Sequence, residues 1–160
     1  VTAYLPENDN RSYDVEYLGN RITIAMGGRA AEEVIFDQLT TGASNDIQQV
    51  TETVRNMICR WGMNNKFGPV VLGSDDQQSV MGQALGKERE YSEDTAEQID
   101  TEMRDMVKTH YEQACQLLRD NLDTLHQIAH TLLEEETIEG GRIMEMLGKP
   151  QLPKVEISLN

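Results

Sequence analysis

The stretch Leu39-Thr40-Thr41-Gly42-Ala43-Ser44-Asn45-Asp46-Ile47 marks the point where a turn leads into a helix. Thr, Gly and Asn suit the turn, and Ser44 is the expected N-cap of the helix. The apolar residues that follow recur every three or four positions, which predicts one buried helical face made of Ile47, Val50, Val54, Met57, Ile58 and Trp61. We expect this helix to end at Gly62.

Asp46 lies one turn before Val50, so its carboxylate is predicted to point toward the interior. A carboxylate in that position needs a cation, a metal ion or the free N–H groups of the helix start. Acidic residues are common in the first turn of a helix. The spacing alone therefore leaves helix-start chemistry and metal binding both open.

Another helix is predicted from Tyr13 to Phe36, with an inner stripe of Val15, Leu18, Ile22, Ala25, Met26, Ala30 and Val34. The pair Gly27-Gly28 in the middle of this helix predicts the close approach of another element. Glu32 and Glu33 are adjacent, and neighbouring helical residues point about 100° apart. We therefore expect a solvated face or a salt bridge to Arg29, and no shared acid site.

The second half of the chain predicts two long helices. Ser92 caps a helix that runs to about Arg119, and a second helix follows from Asp120 or Asn121 to about Glu135. The short break predicts an antiparallel hairpin, in which the second helix buries Leu122, Leu125, Ile128, Ala129, Leu132 and Leu133. A last short helix is expected at about residues 139–147, and residues 149–160 read as a flexible tail.

The expected fold is therefore mainly α, with one or two short strands: an edge strand at Val1–Leu5, and a short buried strand or extended segment at Val70–Leu72. The length of 160 residues suits one domain, and the net charge of −14 argues against binding nucleic acid or an anionic membrane surface. No apolar run approaches the ~18 residues that span a bilayer. Cys59 and Cys115 lie in apolar helical patterns and are predicted to be buried, reduced thiols.

Several motifs occur together and in one order along the chain: Gly27-Gly28-Arg29-Ala30-Ala31-Glu32-Glu33, Thr40 to Ile47, residues 57–63, Phe67-Gly68-Pro69 and Glu135-Glu136-Thr137-Ile138. Together they resemble the peptidase domain of the FtsH family, the membrane-anchored AAA+ zinc metalloproteases (peptidase family M41). The resemblance covers roughly residues 1–147. It implies that residues 1–148 are the C-terminal part of a zinc metallopeptidase domain.

The resemblance implies that Asp46 is the third zinc ligand. The family's other two ligands are the histidines of an H-E-x-x-H helix, whose Glu is the general base. This chain lacks that motif, and no His precedes His110. Because a catalytic zinc site needs three protein ligands, we expect the fragment to contain no catalytic residue and to be inactive alone.

The resemblance also implies that Thr2, Ala3, Tyr4 and Leu5 form a strand beside the cleft that pairs with an extended substrate backbone. Without it, the segment reads as an ordinary edge strand. Gly82 to Glu88 resembles a phosphate-binding loop, but one residue is missing between the glycines and Glu88 replaces Ser or Thr, so no nucleotide site is predicted here.

For the parent protein, the resemblance implies ATP hydrolysis on an upstream module, unfolded or membrane proteins as substrates and a homo-hexamer. It implies membrane attachment only through upstream segments, at the cytoplasmic face of the inner membrane, with the fragment itself soluble. The alternative is a non-catalytic helical oligomerisation or interaction module.

His126 and His130 have the i, i+4 spacing of a metal-binding helix. Gln127 stands where a general base would be needed, and an amide cannot deprotonate a water molecule. We interpret the two residues as surface or hairpin histidines that hold no physiological metal.

Overall fold

The computed structural model describes residues 12–73 and 91–149. This part of the chain folds into six α-helices and contains no β-strand, which confirms the mainly α fold. The helices are α1 (Val15–Ala25), α2 (Gly27–Phe36), α3 (Ser44–Cys59), α4 (Glu93–Asp120), α5 (Leu122–Glu135) and α6 (Gly140–Met146). The predicted strand at Val1–Leu5 and the Gly82 loop lie outside the described residues.

The chain divides into two compact units, Val1–Cys115 and Gln116–Asn160. Helix α4 belongs to the first unit as far as Cys115 and to the second from Gln116. The predicted antiparallel hairpin joins segments of both units, so it stays a prediction. The proposed domain boundary at residue 148 also stays a prediction.

The core of the first unit is built mainly from α1 and α3, which pack against each other. The predicted inner stripes supply its largest buried side chains: Leu18, Ile22, Met26, Val50, Val54, Met57 and Ile58. Burying each such side chain contributes about 1.5–3 kcal/mol. Val15 and Trp61 were predicted to face inward, but they are exposed because they lie at or beyond the ends of their helices.

Residues 13–36 form two helices where one was predicted, because the helix breaks at Met26. A Cβ added at Gly27 or Gly28 would meet no atom within 4 Å in the described part of the chain, so no described element makes the predicted close approach there. The close approach occurs at Gly19, where an added Cβ would lie 2.8 Å from His110 Cε1. The Nδ1 atom of this imidazole lies 3.0 Å from Thr23 Oγ1.

Helix α3 ends at Cys59, and the chain then reverses through Gly62, whose φ is +60°. The Leu72 N–H donates to the Cys59 carbonyl over 2.7 Å, which ties the following segment to the end of α3. Val70 and Val71 are exposed, so the predicted buried strand is wrong. The segment bonds to a helix terminus and does not enter a strand ladder in the described part of the chain.

Helix α4 begins as predicted, because the Ser92 hydroxyl accepts a hydrogen bond from the Thr95 N–H over 3.2 Å. In the second unit, α5 packs against α6. The predicted inner face of α5 is largely wrong: Leu133 is 81% exposed, Leu122, Ala129 and Leu132 are also exposed, and Thr131 is buried. None of the helices in the described ranges is both long and apolar enough to cross a membrane.

Candidate metal-ligand turn

The turn before α3 is a short 3₁₀ helix, Thr41–Ala43, that continues directly into α3. Ser44 therefore has helical backbone angles, φ −59° and ψ −40°, and does not serve as the predicted N-cap of α3. Thr40 caps the 3₁₀ turn instead, since its Oγ1 accepts a hydrogen bond from the Gly42 N–H over 3.2 Å. The position of the turn was predicted correctly, but the capping hydroxyl belongs to Thr40 and not to Ser44.

Glu32 of α2 holds this turn from the side. Its Oε1 accepts the Thr40 hydroxyl over 2.8 Å, and its Oε2 accepts the Thr40 backbone N–H over 3.2 Å. The carboxylate is half-buried, so the prediction that it lies on a solvated face or pairs with Arg29 is wrong. Two hydrogen bonds to one charged group fix Thr40, and through Thr40 the start of α3.

Asp46 lies in the first turn of α3 and is half-buried. Its side chain makes no hydrogen bond or ion pair with any other described residue. The N–H groups at the start of α3 therefore do not bind this carboxylate, which removes one of the partners considered for it. The remaining first-turn effect is the favourable field of the helix dipole.

The neighbouring carboxylate, Glu33, is engaged on another element. The Tyr111 hydroxyl of α4 donates a hydrogen bond to Glu33 Oε2. Burial is the main cause that raises the pKa of the Tyr111 phenol, and the hydrogen bond to Glu33 adds to it. Glu33 thus also departs from the predicted solvated face or salt bridge.

A third polar cluster holds the turn that follows α3. Asn64 Nδ2 donates to Glu102 Oε2 over 3.0 Å, and Lys66 Nζ lies 3.0 Å from Glu102 Oε1. The hydrogen bond from Asn64, and then that from Lys66, lowers the pKa of the Glu102 carboxyl. This cluster links α4 to the end of α3 opposite to Asp46.

The described residues fit only part of a metal site. Within residues 12–73 and 91–149, no three His, Cys, Asp or Glu side chains lie together so that they could hold a metal ion. A half-buried carboxylate without another partner suits one metal ligand, and Asp46 meets that description. His126 and His130 are both exposed on α5 and belong to no such group of three.

The two cysteines are buried free thiols, as predicted. Burial raises the pKa of the Cys59 thiol, and the positive charges of Arg55 and Arg60 partly oppose this rise. A buried thiol with a raised pKa is a poor nucleophile. Cys59 therefore reads as a packing residue of the core.

The sequence could not reveal the long-range polar pairs of the first unit. Glu33 and Tyr111 are 78 positions apart, and Thr23 and His110 are 87 positions apart. No periodic pattern links positions so distant in the chain. Glu32 and Thr40 are only eight positions apart, and the short loop between them was the one local signal that they lie close together.

Comparison with known proteins places these features in a family. The sequence profile of peptidase family M41 matches residues 1–146. The chain is 41% identical over 158 residues to a protein of Acidobacterium capsulatum, covering 99% of this chain and 25% of that protein. It is 44% identical over 148 residues to a protein of Thermobaculum terrenum, covering 92% of this chain and 23% of that protein.

A protein of Thermotoga maritima is 40% identical over 148 residues, which cover 92% of this chain and 24% of that protein. All three relatives are named ATP-dependent zinc metalloprotease FtsH. The chain spans about a quarter of the length of these curated relatives. On the extent of the profile match and on these identities, the chain belongs to peptidase family M41.

Proposed function

We propose that this chain forms part of the proteolytic module of an ATP-dependent zinc metalloprotease, in which Asp46 is one ligand of the zinc ion. The observation that carries this proposal is the half-buried Asp46 carboxylate, which has no other partner among the described residues. The names of the family's relatives support both the metal and the peptidase activity.

The role of this chain follows from what its own residues can do. Asp46 supplies negative charge and one oxygen ligand, while Glu32 and Thr40 keep the start of α3 in place. The family resemblance assigns the other ligands and the general base to an H-E-x-x-H helix, a motif that the sequence of this chain does not contain. When bound, zinc activates a water molecule and polarises the scissile carbonyl.

We further propose that Thr2, Ala3, Tyr4 and Leu5 pair with the backbone of an unfolded polypeptide. Pairing of this kind uses main-chain hydrogen bonds and so accepts many sequences. Residues 1–148 would then act as one peptidase segment, followed by a flexible tail at 149–160. These assignments rest on the family resemblance, since the first strand lies outside the described residues.

For the whole protein, we propose a homo-hexamer that is attached to the membrane by upstream segments and works at its cytoplasmic face. ATP hydrolysis on an upstream module would deliver unfolded or membrane proteins to the zinc site. Cyclic head-to-tail contacts would close such a ring. The protein names support ATP dependence and peptidase activity, and the other features are expectations from the family.

The test is Asp46→Asn in the native gene product, with zinc content and casein cleavage as readouts. Asparagine keeps the size of the side chain but removes the charge, so we expect zinc occupancy and cleavage both to be lost. His126→Ala/His130→Ala is the matched control, because it removes two exposed histidines on α5 whose i, i+4 spacing allows adventitious metal binding. Retention of zinc and cleavage in Asp46→Asn would refute the ligand assignment.

A second function is favoured by the surface of α5, where Leu133 is 81% exposed and Leu132 is 40% exposed. Exposed apolar side chains on one helix are available for contact with another protein. If the native gene product holds no zinc and cleaves no casein, a non-catalytic assembly module becomes the better description.

A further inference from the structure

Helix α2 carries two adjacent carboxylates that bind two different elements. Glu32 accepts two hydrogen bonds from Thr40, over 2.8 and 3.2 Å, and Glu33 accepts the hydroxyl of Tyr111 on α4. Both glutamates are half-buried. Because successive helical positions point about 100° apart, the two bonds hold α2 from two sides.

The bond to Tyr111 is suited to hold α2 in a fixed rotation. The phenol is half-buried, and a tyrosine hydroxyl keeps its proton at neutral pH, so it is a donor to the Glu33 carboxylate. Without this donor, the Glu33 carboxylate would stay half-buried and lose its hydrogen bond. A carboxylate in that situation turns toward water, since an unsatisfied charged acceptor is costly.

Any rotation of α2 that lets Glu33 reach water also moves Glu32, which is the preceding residue of the same helix. The bond from the Thr40 N–H to Glu32 has little tolerance, because N–H···O bonds span about 2.7–3.2 Å and this one is already 3.2 Å long. Thr40 in turn accepts the Gly42 N–H over 3.2 Å and so caps the turn that starts α3. The contacts thus form a continuous path from α4 to the 3₁₀ turn Thr41–Ala43 and the first turn of α3, which carries Asp46. We call these two turns together the Asp46 turn.

We propose that Tyr111 is a positioning residue for the Asp46 turn and acts through α2, by holding Glu33 so that Glu32 can bind Thr40. The functional meaning of this role rests on the proposed function, since Asp46 matters as a metal ligand only there. The structural part does not depend on zinc and is tested separately.

The experiment is Tyr111→Phe in the full 160-residue chain, followed by amide hydrogen exchange measured by NMR. Phenylalanine keeps the ring and removes the donor. We expect the Thr40 and Gly42 amides to exchange about 3–10 times faster, because their partners are no longer held. Tyr13→Phe is the matched control, since Tyr13 is 53% exposed, and it should leave both amides unchanged.

A double mutant separates positioning from a general loss of stability. Glu32→Gln alone should speed exchange at Thr40 and Gly42, because an amide retains only one of the two acceptors. If Tyr111 acts through Glu32, adding Tyr111→Phe to Glu32→Gln produces little further change. Independent, multiplicative effects of the two changes would overturn the proposal.

Two further variants keep the test decisive. Glu33→Gln retains an acceptor for the Tyr111 hydroxyl and should leave exchange at Thr40 slow. If Tyr111→Phe fails to fold, Glu33→Asp keeps the carboxylate but shortens its reach to the Tyr111 hydroxyl, and it should accelerate the same two amides. Unchanged exchange at Thr40 and Gly42, with faster exchange confined to α4, would also overturn the proposal.

The zinc readout distinguishes this proposal from the proposed function. In the native gene product, we expect Tyr111→Phe to weaken zinc binding, by less than the ~10–100-fold that is typical of a residue bonded directly to a ligand. If Tyr111→Phe speeds amide exchange at Thr40 while Asp46→Asn leaves zinc binding intact, the positioning role stands and the ligand assignment fails. If Asp46→Asn abolishes zinc binding while Tyr111→Phe changes neither exchange nor zinc affinity, the positioning role fails alone.

Discussion

The reversal after α3 predicts that Gly62→Ala and Gly68→Ala destabilise the chain to different extents. Both glycines have left-handed backbone angles, with φ +60° at Gly62 and φ +72° at Gly68. Placing alanine in that region costs about 1–2 kcal/mol. An added Cβ at Gly68 meets no atom within 4 Å in the described part of the chain, so Gly68→Ala should lose only this amount.

Gly62→Ala should lose more, because its Cβ would lie 2.8 Å from Pro69 Cα and 3.3 Å from Pro69 C. These are backbone atoms, and the nearby segment is held by the bond from the Leu72 N–H to the Cys59 carbonyl. Relieving the overlap must therefore shift backbone, which adds roughly 1–3 kcal/mol. We expect a total loss of about 2–5 kcal/mol in the free energy of unfolding.

Urea denaturation followed by the fluorescence of Trp61 measures this difference. Trp61 is the single tryptophan and lies beside Gly62 in the first unit, so its signal reports unfolding around the substituted turn. At a typical slope of about 1–3 kcal/mol per molar urea, the two midpoints should differ by roughly 0.3–3 M. Equal shifts for both variants would show that Pro69 does not limit the space at Gly62.

Three other predictions concern separate features of the fold. Gly28→Ala should raise the free energy of unfolding by about 0.5 kcal/mol, seen as a higher Tm, because alanine favours a helix and the site is open. Glu102→Gln should cost about 0.5–1 kcal/mol at pH 7. The bonds to Asn64 and Lys66 lower the pKa of Glu102. The ionised carboxylate therefore stabilises the fold at pH values above its pKa in the unfolded chain, which is about 4.3. That contribution disappears as pH falls through the folded pKa, and urea melts of both proteins should converge in acid. Finally, burial should make Cys59 react with a thiol reagent at least ~100-fold more slowly than after unfolding, and equal rates in native and unfolded protein would contradict its buried position.

The local features of this chain were predictable because they depend on neighbouring residues. The apolar stripe of α3, the Ser92 cap of α4 and the end of α5 at Glu135 all agree with the expectations. The helix period and the capping chemistry act within one or two turns. The ordered motifs likewise identified the family, since several short patterns in one order are far more specific than any one of them.

The predictions failed where a position depends on a partner that the local sequence does not show. Ser44 is a good N-cap residue, but a 3₁₀ turn placed Thr40 in that role. Gly27 and Gly28 read as a site of close packing, yet the close contact is at Gly19. The apolar residues of α5 predict a buried face, and Leu133 is exposed. In each case the residue type allowed the predicted role without requiring it.

The sequence by itself determined the mainly α fold, the position of the turn before α3 and the membership of peptidase family M41. Only the tertiary structure decided that Glu32 binds Thr40, that Glu33 binds Tyr111, and that Asp46 has no such partner in the described part of the chain. The physical reason is the distance along the chain over which each interaction acts. Helix periodicity and capping act between near neighbours in the chain, whereas a hydrogen bond depends on distance in space, and residues 78 positions apart meet only after the helices have packed.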